Sequence, residues 1–184
     1  YPNPSPKNLR QMIAELHELL DDPTNFGVDL LLPQVGGKAR KTNYDYTKGK
    51  LPEMVDILCE SKCKLFVCAV GVPPKWMTDK LHDSGILVMN MVGSPRHVLK
   101  SLEAGVDAIC AQGYEAGGHT GEIASMVLIP QCVKMVQGRL SPLTGEQVPV
   151  IAAGGIYNGA TFAAALSLGA DAIWVGTRFL ASEE

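Results

Sequence analysis

Short, unbroken apolar runs alternate along this chain with amphipathic stretches. The runs are Val28–Leu32, Lys64–Val70, Ile86–Val92, Val106–Ala111, Val148–Ala153 and Asp171–Val175. Each is short and rich in residues that suit a pleated surface, so each reads as a strand. They do not alternate apolar with polar, which is the pattern of strands buried on both faces of a parallel sheet. Helices are predicted between them, over Leu51–Ser61, Pro74–Ser84, Pro95–Ala104, Ala124–Gln137 and Asn158–Leu168. A further helix, Leu9–Leu20, comes first, with Ile13, Leu16, Leu19 and Leu20 at helical spacing. Ser5-Pro6 offers that helix an N-cap and a proline in its first turn. Pro130 interrupts or starts the helix around it. The joints Ser84-Gly-Ile, Ala104-Gly-Val and Leu168-Gly-Ala recur, each ending a helix and feeding a strand.

This repeated βα unit builds either a barrel or a doubly wound sheet. Gly71, Gly93, Gly113, Gly154 and Gly176 all follow strand ends. A barrel opens every such end onto one shared site, whereas in an open sheet only the switch point would matter. No GxGxxG follows the first strand. The expected fold is therefore α/β, a TIM (β/α)8 barrel, here a fragment with six βα units forming a single domain over residues 1–184. Closure needs eight strands, so the N-terminal strands are expected to be missing. The chain begins with Tyr rather than Met, and Ser182-Glu183-Glu184 reads as the start of another helix. A smaller or open six-stranded sheet is the alternative.

Composition narrows the function classes. The chain has 184 residues, 46% apolar and 19% charged, with a net charge of −3. Nothing in that balance points to nucleic acid or an anionic membrane. No apolar run approaches the roughly 18 residues of a membrane span, and the N-terminus lacks the pattern of a signal peptide. Cys59, Cys63, Cys68, Cys110 and Cys132 form no CxxC pair and lie in apolar segments. They read as reduced, mostly buried thiols of a cytoplasmic or other reducing compartment, without the spacing of a zinc site.

Three segments carry candidate chemistry. Ile151-Ala-Ala-Gly-Gly-Ile156 and Val175-Gly-Thr-Arg-Phe179 follow the last two strands. In a barrel those loops frequently hold phosphate, because glycine lets backbone N–H groups approach the oxygens. Tight turns alone are the other reading. Gln112-Gly-Tyr-Glu-Ala-Gly-Gly-His-Thr-Gly121 follows the strand before them. His119 in that loop is the side chain best suited to take a proton near neutral pH, and Glu115 either orients it or pairs with a cation. His17, His82 and His97 read as helix filler. Pro33–Lys50, with Lys38, Arg40, Lys41, Lys48, Lys50, Tyr44 and Tyr46, reads as a long connection. It is either a solvated loop or a basic lid for an anionic substrate.

Taken together, Ala111–Gly121, Pro149–Ile156 and Gly169–Phe179 resemble the nitronate monooxygenase family, formerly called 2-nitropropane dioxygenase. The resemblance runs over nearly the whole chain, and the Pro33–Lys50 connection is similar to that of members from fungi and related eukaryotes. It implies an FMN-dependent barrel that oxidises alkyl nitronates, and nitroalkanes, with O2. It places Gln112, Gly117, Gly118, Ala153, Gly154, Gly155, Gly176 and Thr177 where the family holds FMN. It places His119 on the family's proton-abstracting base. The family's first strand and its C-terminal segment have no counterpart here. The same motifs occur in flavin-dependent enoyl-ACP reductases, and Gln112 tilts the choice to the nitronate branch. A flavin-free enzyme acting on a phosphorylated substrate, and an inactive fragment, are the remaining alternatives.

Overall fold

The computed structural model describes residues 5–33 and 44–183. The chain divides into two compact units, residues 1–88 and 89–184, and the division falls inside one strand. The first unit holds α1 (Pro6–Leu19), β1 (Gly27–Leu32), α2 (Leu51–Ser61), β2 (Leu65–Gly71) and α3 (Lys75–Asp83). It ends at the start of β3 (Leu87–Val92). α1 begins at Pro6 because the Ser5 hydroxyl accepts the Asn8 N–H at 3.2 Å, satisfying one of the donors a helix start leaves open. Its buried stripe is narrower than the apolar spacing predicts: Leu9 and Ile13 are buried, but Leu19 is 81% exposed. β1 and β2 pair in parallel, with Val28 opposite Phe66 and Leu30 opposite Cys68. Met54, Val55 and Leu58 of α2, Phe66 of β2, and Met77 and Leu81 of α3 are all fully buried. Each such side chain contributes about 1.5–3 kcal/mol through removal from water.

The second unit continues β3 and adds α4 (Arg96–Glu103), β4 (Ala108–Gln112), α5 (Ser125–Val136), β5 (Val150–Ala153), α6 (Gly159–Ser167) and β6 (Ala172–Trp174). Within it each strand pairs in parallel with the next in chain order. Val92 stands opposite Ala111, Gln112 opposite Ala153, and Ala153 opposite Trp174. The carboxyl ends of these strands therefore finish level, and the loops after them leave from one edge. Ile109, Cys110, Leu128, Ile129, Cys132 and Val150 form the buried centre of this unit.

Two aspartates fix where strands begin. Asp107 Oδ1 accepts the Ser141 hydroxyl at 2.6 Å and the Leu143 N–H at 3.2 Å. Asp171 Oδ2 accepts the Val150 N–H at 2.8 Å. Both sit in the same local sequence, Gly105-Val-Asp-Ala-Ile109 and Gly169-Ala-Asp-Ala-Ile173. The repeat seen at the joints thus extends to a carboxylate that satisfies backbone donors beside the incoming strand.

Parallel strands alternating with helices place the fold in the expected α/β class. Boundaries differ in places. α5 runs through Pro130 without a break. The carbonyl that loses its donor there is that of Met126, whose residue is 63% exposed. Ser182 and Glu183 are not helical; a 3₁₀ turn, Phe179–Ala181, stands just before them. The end of the Pro33–Lys50 connection is an ordered turn rather than open loop. Asp45 accepts the Thr47 N–H at 2.8 Å and the Gly49 N–H at 2.6 Å, and the Tyr44 and Tyr46 rings lie 4.0 Å apart. Lys38, Arg40 and Lys41, on which the lid reading leans, lie outside the described residues.

Candidate functional site

The loops after β4, β5 and β6 meet within the second unit, and glycine is what lets them meet. Gly113 N–H donates to Ala153 C=O at 2.9 Å, carrying the β4–β5 ladder one step past the strands. A Cβ on Gly113 would stand 2.0 Å from the Ser125 hydroxyl and 2.6 Å from a Glu115 carboxylate oxygen. Gly154, at φ +97°, would bring a Cβ to 2.9 Å from the Gly113 carbonyl. The loop after β3 joins from the other side: a Cβ on Gly93 would reach Gly121 N at 2.7 Å. Between these anchors, Tyr114 N–H donates to Ile123 C=O at 2.9 Å and closes the base of the histidine loop.

His119 is exposed in that loop, between Gly118 at φ +78° and Thr120. A Cβ on Gly117 would lie 3.3 Å from Thr177 Oγ1, so the histidine loop reaches the loop after β6. Gln112 is half-buried at the end of β4, and Ala153 is buried at the end of β5. The predicted residues Gln112 and Ala153, at strand ends, and Gly117, Gly118, His119, Gly154, Gly155, Gly176 and Thr177, on the loops that follow, thus lie along one sheet edge. The backbone N–H groups of Gly154, Gly155, Gly176 and Thr177 donate to no acceptor among the described residues. Gly154 and Gly155 both have positive φ, and the space where a Cβ of Gly176 would stand is open. Unpaired, accessible N–H groups on consecutive glycines are what a phosphate group requires.

Among the described residues, the Glu115 carboxylate is engaged by Ser125. Its carboxylate accepts the Ser125 N–H at 3.0 and 3.2 Å and the Ser125 hydroxyl at 2.8 Å. It therefore caps α5, whose N-cap residue, Ala124, has no side-chain acceptor. Partial burial pushes the Glu115 carboxyl up, but hydrogen bonds from its own N–H and from Ser125 outweigh this and hold it below the usual carboxylate range. Ser125, buried at the start of α5, was not singled out by sequence reasoning. The signal was its place as the first residue of the helix after a glycine-rich loop. Gly93 was marked only as a strand-end glycine, and its contact with Gly121 needed the structure.

The remaining histidines are helix residues, as expected. His17 meets Phe26 edge-on at 5.6 Å, and His97 is half-buried on α4. Burial, then the charges of Arg96 and Lys100, hold His97 below its ordinary pKa. Cys63, Cys68, Cys110 and Cys132 are buried, Cys59 is half-buried, and all five are free thiols. No helix among the described residues is long and apolar enough to cross a membrane.

The profile of the nitronate monooxygenase family matches residues 4–184. Rv1533 of Mycobacterium tuberculosis, which carries a monooxygenase name, is 37% identical over 95% of the chain and 44% of its own length. A Rhodococcus jostii protein named as a carboxyl-CoA dehydrogenase is 36% identical over 72% of the chain and 35% of its own length. Among solved structures, the nitroalkane oxidase of Streptomyces ansochromogenes superposes with a TM-score of 0.80 at 26% identity, over 97% of this chain and 56% of that one. The chain spans about half the length of the proteins it matches.

Proposed function

The chain belongs to the nitronate monooxygenase family, and from that premise we propose that it carries the flavin-phosphate and proton-abstraction part of an FMN-dependent oxidoreductase acting on alkyl nitronates and nitroalkanes. The observation that carries this reading is the group of unpaired N–H donors at Gly154, Gly155, Gly176 and Thr177, beside a loop that presents His119. Those donors and the Thr177 hydroxyl would hold the phosphate. Gly117 and Gly118 leave the histidine loop without side-chain bulk where a flat ring must pass, and Gln112 supplies an amide at the end of β4.

Bound FMN supplies the electron acceptor and the reaction with O2. The chain supplies the base. His119, exposed on its loop, takes the α-proton of a neutral nitroalkane, and the resulting charge is delocalised onto the nitro oxygens. A nitronate arrives already deprotonated and does not need that step. His119→Asn in the intact protein is therefore expected to lower kcat/KM for neutral nitroalkanes by about 100-fold or more. Preformed nitronates should lose far less. Equal losses would remove the base assignment. The absorbance spectrum and released cofactor of the intact protein, followed by oxygen uptake with a nitronate, test the reading as a whole. A colourless protein that takes up no flavin would end it.

A second reading has its own support. The Rhodococcus jostii relative is named for a CoA-linked substrate, which favours a thioester in place of a nitro compound at the same flavin site. NADH consumption with an enoyl thioester, and no O2 uptake with a nitronate, would select it. Either chemistry suits a reducing compartment, where the buried free thiols persist.

A further inference from the structure

Glu115 and Ser125 connect two loops that the proposed reaction must keep aligned. Glu115 belongs to the histidine loop, four residues before His119. Its carboxylate accepts from both the N–H and the hydroxyl of Ser125. The same hydroxyl lies 2.9 Å from the carbonyl oxygen of Gly154. A Cβ on Gly155 would stand 3.2 Å from Glu115 Cβ, so the stem of the glutamate also packs on the glycine turn. One buried hydroxyl and one carboxylate thus touch the histidine loop, the first turn of α5 and the turn after β5.

We infer that Glu115 and Ser125 are positioning residues that hold the His119 loop and the Gly154–Gly155 turn in one register, so that ligand binding at the turn and placement of the imidazole are coupled. The coupling rests on the flavin reading only for the identity of the ligand. The hydrogen-bond inventory makes the assignment specific. Ser125 has one hydroxyl hydrogen and two close acceptors for it, the carboxylate at 2.8 Å and the Gly154 carbonyl at 2.9 Å, with the Ala153 carbonyl farther off at 3.5 Å. With an amide at position 115, the oxygen can still accept the Ser125 N–H. The NH2 can donate to the hydroxyl oxygen, which frees the hydroxyl hydrogen for Gly154. Glu115→Gln therefore preserves the chain of bonds, whereas Glu115→Ala breaks it at the histidine loop. Ser125→Ala leaves the N–H contact to Glu115 and removes both hydroxyl bonds, the one to the carboxylate and the one to the Gly154 carbonyl.

The test uses the intact protein and these three variants. FMN affinity is read by quenching of flavin fluorescence, and amide hydrogen exchange is followed at the bonded amides of Gly113, Tyr114 and Ala116 in the histidine loop and of Tyr157 and Asn158 just after the glycine turn. Glu115→Ala is expected to weaken FMN binding about tenfold and to speed exchange about tenfold in both segments, the scale of one lost charge-assisted bond. Glu115→Gln should stay within about twofold of the parent in both readouts. Ser125→Ala should speed exchange at Tyr157 and Asn158 by about threefold or more, with a smaller change at Gly113, Tyr114 and Ala116. If Glu115→Ala does not fold, the other two variants carry the test. Faster exchange confined to the first turn of α5, with FMN affinity unchanged, would make the pair a helix cap only and overturn the coupling. If the parent protein takes up no FMN, the flavin reading falls, while the exchange pattern still decides whether the loops are coupled.

Discussion

The glycines at this site do different work, and substitution separates them. At Gly113 an added Cβ would overlap the Ser125 hydroxyl at 2.0 Å, with Ser125 N and Glu115 also within 2.6 Å. None of these can retreat without breaking the bonds that cap α5. Gly113→Ala is expected to destabilise by about 1–3 kcal/mol, read as a fall in Tm. At Gly176 nothing lies within 4 Å of the added carbon, so Gly176→Ala should leave Tm unchanged and act only on ligand binding. Titration separates the carboxylates in the same way. The Glu115 carboxyl is held below its ordinary range in the folded protein. Its contribution is therefore complete above that range and is lost as pH falls through the folded pKa. Asp29 on β1 has the opposite sign: burial pushes it up from 3.8 to about 6. Its folded form prefers the proton, so stability is lost as pH rises between those values. Asp29→Asn is expected to raise Tm at pH 7 and to leave it unchanged near pH 3.5, and a melting series across pH checks both ends. At this scale the glycine positions and His119 were legible from sequence, because residue type alone restricts what they can do. The partner of Glu115 was not, since Ser125 lies ten positions further along the chain, across a loop whose closure no local pattern encodes.

At the scale of elements, the caps and joints explain why the predicted segments fold where they do. α6 starts with a reciprocal capping box, the Asn158 side chain accepting the Thr161 N–H at 2.9 Å and the Thr161 hydroxyl accepting the Asn158 N–H at 3.1 Å. Asn158→Ala should cost about 1 kcal/mol, visible as a lower denaturation midpoint with an unchanged m-value. The capping box keeps the start of this helix close behind the Gly154–Gly155 turn, so FMN affinity should fall with it. Element existence and order followed from apolar periodicity and from glycine at the joints, and the helix Leu51–Ser61 came out with the predicted bounds. The misses were at ends. β6 spans Ala172–Trp174 rather than Asp171–Val175, although the Asp171 N–H still donates to the Val150 carbonyl at 2.8 Å. The continuity of α5 through Pro130 depended on whether the freed carbonyl met water, which periodicity does not report.

For the molecule as a whole, a ligand that binds the folded protein alone raises its stability by mass action. FMN at about 100 times its Kd should stabilise the intact protein by about 2.7 kcal/mol. Removal of flavin should lower Tm, and re-addition should restore it. An unchanged Tm would mean that the glycine turns hold no phosphate. The sequence by itself determined the class of fold, the run of βα units and the family, and it marked the candidate site residues, because each depends on local composition and period. Only the tertiary structure decided that the loops after β3, β4, β5 and β6 close on one another through glycine contacts, and that the Glu115 carboxylate accepts from Ser125. Those outcomes depend on parallel register, which levels the ends of strands far apart in the chain, and on distances of a few ångströms that no spacing along the sequence specifies.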